Sequence, residues 1–195
     1  SADNSDILVL DRYWLMHGGQ ETVVAEWNGH IDKDLLAWKA AQIATLYGNA
    51  LLVIERNTYD QEKGKAMDES EFIIDIIYDH YDNMYIYTPG GKTTEKQTKS
   101  VGWFTNGYTK PKIVHNLIAA VRELAYVEKS VEAIQEMHTY ERKDNGNWGA
   151  MEKHKDDRVI VRAIGLWISK EMELPSVRKA ARYRTKVVKP TTYKP

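Results

Sequence analysis

Apolar positions along the chain cluster first in two β-rich runs, ILVLDRYWLM (7–16) and ETVVAEW (21–27). Between them, His17-Gly18-Gly19-Gln20 predicts a hairpin. The period then changes to that of a helix. Asp32 offers an N-cap, and Leu35, Leu36, Trp38, Ala41, Ile43 and Leu46 occupy much of one side as far as about Tyr47, where Gly48-Asn49 ends the element. ALLVIE (50–55) is a short continuous apolar run closed by a carboxylate, the pattern of a central strand covered on both faces.

A helix over 69–80 and a strand over 83–87 (NMYIY) follow, and TPGGKTTEKQTKS is a polar excursion. After Gly102-Trp103, a helix is expected from about Lys110 to Leu124, with Thr109 as its cap and Pro111 near its first turn. A shorter helix near 129–137 leads to MHTYER as an edge strand, KDNGNWG as a loop and a closing helix over 156–172. Strands and helices in this order predict an α/β fold with an antiparallel start and a mixed sheet.

The length of 195 residues favours one domain, here 1–172, followed by a tail. From Glu173 to Pro195 there are seven Lys or Arg against one Glu, which leaves 20 basic and 27 acidic residues for the body. The tail has few apolar residues at helical spacing and is expected to be mobile or partner-bound. An acidic body does not favour a broad duplex-binding surface, so nucleic-acid binding needs local basic patches or bridging metals. The chain has no cysteine, which excludes disulfides, thiolate metal sites and a cysteine nucleophile. No apolar run is long enough to span a bilayer.

Several polar clusters invite a chemical reading. GGKTT (90–94) fails as a phosphate loop, because Ile86 stands where the first glycine belongs. His30, Asp32 and Asp34 are explained by capping and the helix dipole. Glu55, at the end of a buried strand, sits where open α/β sheets place ligand groups, although pairing with Arg56 or another base also accounts for it. Asp156 and Asp157 suit the first turn of a helix, yet one carboxylate suffices there. Two adjacent carboxylates repel unless a cation or basic partner offsets them, and His154, Lys155 and Arg158 are the lesser candidates. A strand-end Glu and a helix-start Asp pair together suit an oxygen-only site for one or two Mg²⁺ ions.

Three blocks carry a family resemblance. VVAEWNGHIDKDLLAWKAAQIATLYGNALLVIERNT, GWFTNGYTKPKIVHNLIAAV and EMHTYERKDNGNWGAMEKHKDDRVIVRAIGL follow one another in the chain. In this order they resemble the C-terminal nuclease domain of the tailed-bacteriophage terminase large subunit, the DNA-packaging motor, of the gut-bacterial phage type. The similarity covers roughly residues 2–172. It implies a ribonuclease H-like mixed sheet flanked by helices and two-metal hydrolysis of DNA with Mg²⁺ or Mn²⁺. Glu55, Asp156 and Asp157 are then the metal ligands and catalytic residues, and Thr105, Lys110, His154 and Lys155 the DNA contacts.

The implied partners are double-stranded DNA, the terminase ATPase domain, the portal and the small terminase subunit, in the host cytoplasm and without a membrane. Two departures stand out. The strand carrying the family's first catalytic aspartate lies upstream of SADNSDILVLDR, so the first strand is expected to be missing here, and Asp11 does not take its place. Lys155 also stands where a histidine commonly precedes the two aspartates. A non-cleaving DNA-gripping or docking module, and another ribonuclease H-like nuclease such as a junction resolvase, are the competing readings.

Overall fold

The computed structural model describes residues 4–57, 69–87 and 100–176. Within them the fold is mixed α/β. Strand β1 (Ser5–Asp11) pairs antiparallel with β2 (Glu21–Gly29), whose far edge pairs in parallel with β7 (Tyr126–Val127), a short strand that the sequence reading missed. The first expected strand is too long: the Asp11 carboxylate accepts the Tyr13 N–H at 2.8 Å, and the chain turns into a 3₁₀ segment, Tyr13–His17. Gly18, at φ 71°, closes that segment, so the two strands are joined by a longer connection than the four-residue turn expected.

Residues 50–57 form an extended spine on which short separate pairings are built. Leu52 bridges Met84 in parallel, and β3 (Glu55–Asn57) pairs in parallel with β6 (Trp103–Thr105). Strand β4 (Ile86–Tyr87) pairs antiparallel with β5 (Ser100–Val101). Alternate side chains of the spine face opposite cores, as expected for a strand covered on both sides. Leu51 and Val53 pack toward helices α3 (Thr109–Arg122) and α5 (Asp157–Glu171). Ala50, Leu52 and Ile54 pack toward α1 (Lys33–Leu46) and α2 (Glu69–Ile77). The helices thus lie in two layers with sheet between them. The remaining elements are α4 (Val131–His138) and the hairpin of β8 (Tyr140–Arg142) with β9 (Trp148–Ala150); β9 falls partly in the stretch expected to be loop.

Helix α1 is rotated from the expected orientation. Its buried face is Leu36, Ala37, Ala40, Ala41 and Ala44, while Leu35, Trp38 and Leu46 are exposed. Small side chains let α1 approach α2 and the spine closely, and this contact wins over burial of the larger residues. Asp32 occupies the N-cap position, but its side chain makes no capping hydrogen bond. Thr109 is not the cap of α3 either. The Asn106 carbonyl Oδ1 accepts the N–H groups of Tyr108 and Thr109, both at 2.9 Å, and the Thr109 hydroxyl donates to the Phe104 carbonyl at 2.8 Å.

No helix among the described residues is long and apolar enough to cross a membrane. At the start of the expected tail, the Arg12 guanidinium donates to the Glu173 carbonyl at 3.2 Å. GGKTT and residues 177–195 lie outside the described residues.

Candidate functional site

Glu55 reaches the site from the first position of β3, and Gly102 makes that placement possible. The Trp103 N–H donates to the Ile54 carbonyl at 2.7 Å, the bond that begins the β3–β6 ladder. This brings the chain so close that a Cβ on Gly102, whose φ is +91°, would lie 2.7 Å from the same carbonyl oxygen. Only glycine fits. The parallel register then sets Glu55 opposite Trp103, with Thr105 two residues farther along β6.

Two further segments converge on Glu55. Lys110 comes from the first turn of α3, and Asp156 and Asp157 from the start of α5. Burial of its carboxyl pushes Glu55 above the ordinary carboxylate range. The Thr105 hydroxyl and the Lys110 ammonium oppose that shift, whereas the charges of Asp156 and Asp157 add to it. Thr105 Oγ1 is close enough to favour the ionised carboxylate, yet among the described residues it lacks a hydrogen bond of good geometry. Lys110 Nζ is 3.9 Å from Asp156 Oδ2, both groups being partly exposed.

Asp156 stands at the N-cap of α5, but its side chain makes no capping hydrogen bond. Glu136 of α4 serves the helix instead. Its Oε2 accepts the Arg158 N–H at 2.9 Å, and its Oε1 accepts the Arg158 guanidinium at 2.8 Å. Asp156 therefore satisfies no helix N–H, although it and Asp157 still lie at the end of α5 where the helix dipole favours carboxylates, and Asp156 pairs with Lys110.

Tyr140 is a member of the site that sequence reasoning missed. Its hydroxyl is buried without a hydrogen-bond partner among the described residues. Burial raises its pKa first, and the charges of Asp156 and Glu55 raise it further. The ring is held by Trp148, which stacks on it at 7° with centroids 6.2 Å apart. No sequence signal marks Tyr140, because it joins the site only through the β8–β9 hairpin.

The other sequence candidates stand apart. His154 and Lys155 are exposed on the turn entering α5, where the His154 N–H donates to the Met151 carbonyl at 3.0 Å. Neither makes a side-chain hydrogen bond or ion pair among the described residues. Tyr108, exposed beside Lys110, has Lys112 Nζ 3.6 Å from its ring centroid.

Glu55, Asp156 and Asp157 share one electrostatic neighbourhood, but among the described residues no three Asp, Glu or His side chains form a group able to hold a metal ion. The donor chemistry suits a hard divalent cation: carboxylates, with buried hydroxyls on Thr105 and Tyr140 and no sulfur. Compared with known proteins, the chain matches no family model and no curated protein.

Proposed function

We propose that the chain is the metal-dependent endonuclease domain of a phage terminase large subunit, hydrolysing phosphodiester bonds of concatemeric DNA during genome packaging. One observation carries this reading: a strand-end glutamate with a buried carboxyl feels two helix-tip carboxylates from about a hundred residues away, and one of these does no capping. Burial is the main penalty on that charge and the two aspartates add to it; Lys110 opposes part of this, and a bound divalent cation would oppose it more strongly. Mg²⁺ or Mn²⁺ held by Glu55, Asp156 and Asp157 would neutralise charge developing on the phosphate and activate water as nucleophile.

The protein groups around that position divide the remaining work. Lys110 balances Asp156 and lies in the first turn of α3, where helix N–H groups and the ammonium together favour a DNA phosphate. Thr105 stabilises the ionised form of Glu55. Lys112 with Tyr108, and the exposed His154 and Lys155, extend a local set of donors for the DNA backbone on an otherwise acidic body.

The ribonuclease H-like form of this proposal calls for one more strand. β1 is an edge strand, and on the spine the Val53 backbone groups have no backbone partner among the described residues. Leu8, Leu10, Leu51 and Val53 nevertheless pack against the same core, so an additional strand has apolar surface to join. The test is Mn²⁺-dependent cleavage of supercoiled plasmid by a chain extended upstream through that strand, compared with Glu55→Gln in the same chain. Cutting that the substitution abolishes supports the nuclease. Folded protein that binds DNA but never cuts favours the gripping module.

A further inference from the structure

The first turn of every helix leaves N–H groups without intrahelical partners, and a side chain at the N-cap position commonly takes one of them. In α5 this task has passed to another helix. The Arg158 N–H, in the first turn, donates to Glu136 Oε2 at 2.9 Å. The same carboxylate receives the Arg158 guanidinium at 2.8 Å, and Arg158 Nε lies 3.1 Å from Glu26 Oε1 on β2. Glu136 is itself well anchored: Ser130 caps α4 by accepting the Ala133 N–H at 3.2 Å, and Ala133 is fully buried.

One helical turn farther along α5, the fully buried Arg162 repeats the pattern. Its guanidinium donates to both oxygens of Glu128 and, at 3.0 Å, to Glu26 Oε1. Two successive turns of α5 are thus fixed to β2 and to the segment holding α4. The helix tip cannot slide along its axis or rotate without breaking these bonds, and the tip carries Asp156 and Asp157.

We infer that Glu136 is a positioning residue: by capping α5 from α4, it holds the Asp156–Asp157 tip against Glu55 and leaves the Asp156 carboxylate to the site. This rests on the reading of that tip as a cation site. Outer groups that orient metal ligands typically change affinity about 10- to 100-fold when removed. Glutamine at 136 keeps a carbonyl acceptor for the Arg158 N–H but loses the charged partner of the guanidinium, so it should rescue the cap and only part of the binding.

The experiment uses the full chain with Mn²⁺ alone as the probe. Mn²⁺ affinity is measured calorimetrically, and exchange of the Arg158 amide is followed by NMR, for wild type, Glu136→Ala, Glu136→Gln and Asp156→Asn/Asp157→Asn. Glu136→Ala should exchange that amide at least tenfold faster and weaken Mn²⁺ binding about tenfold. Glu136→Gln should restore the protection and much of the affinity. Faster exchange with unchanged binding, or weaker binding with unchanged exchange, overturns the positioning role. If the double variant binds Mn²⁺ as wild type does, the cation reading itself falls and the positioning role with it; Arg158 exchange then still reports whether Glu136 is the cap.

Discussion

Gly102 approaches Ile54 so closely that the next residue's N–H is only 2.7 Å from the Ile54 carbonyl oxygen. A methyl group at Gly102 would meet that oxygen at 2.7 Å and would be held at a positive φ. Gly102→Ala should therefore cost about 2–4 kcal/mol of stability, from backbone strain and overlap together. Denaturant unfolding checks the loss. Because the ladder that starts at Trp103 sets Glu55 opposite Trp103 and places Thr105 two residues farther along, DNA cleavage by the extended chain should fall at temperatures where the variant is still folded.

The neighbourhood of Gly102 also shows how far the sequence could be read. A buried apolar run predicts the covered spine 50–55, but the contact between Gly102 and Ile54 depends on strands meeting across about fifty residues. Helix α1 shows a different limit. Its apolar residues fit more than one buried face, and the choice of the alanines over Leu35, Trp38 and Leu46 is made by the closeness of α2. In the site, Glu55, Asp156 and Asp157 were legible as carboxylates at element ends. Glu136 and Tyr140 were not, since an exposed-looking glutamate and a hairpin tyrosine acquire their roles only through tertiary contacts with Arg158, Asp156 and Glu55.

Arg162 is the fully buried cation of a cluster containing Asp6, Glu26 and Glu128. Its removal leaves three carboxylates without their shared partner. Arg162→Met should destabilise the protein by about 3–5 kcal/mol near neutral pH, read from denaturant midpoints. Arg162 favours the ionised forms of Asp6 and Glu128, so without it these two buried carboxyls bind protons more readily in the folded state. The deficit relative to wild type should consequently shrink as the pH is lowered toward 5.

Asp6 is the member of that cluster held least well. Its Oδ2 is 3.7 Å from Arg162 Nη1 and has no hydrogen bond among the described residues. Burial, reinforced by the charge of Glu26, raises its pKa from 3.8 to about 7. Between those values the folded state holds a proton that the unfolded chain has released, so Asp6 makes stability fall as pH rises through the window from about 4 to 7. Asp6→Asn should be more stable than wild type at pH 8, with the advantage shrinking by pH 5. Thermal melts across that range test it, and an advantage independent of pH would locate the effect elsewhere.

Tyr140 offers the sharpest separation of a site role from a structural one. A buried hydroxyl without a partner costs stability, typically about 1–3 kcal/mol relative to a satisfied group, and natural proteins tolerate such violations chiefly where function needs them. Tyr140→Phe removes the hydroxyl and keeps the ring that stacks on Trp148. The variant should be as stable as wild type or slightly more so. If the hydroxyl serves as a donor beside Glu55 and Asp156, Mn²⁺-dependent cleavage by the extended chain should drop about tenfold, within the range for loss of a preorganised donor or acid–base group. Unchanged cleavage with raised stability would instead make the hydroxyl a local packing defect, and the site would have to work with its carboxylates and Lys110 alone.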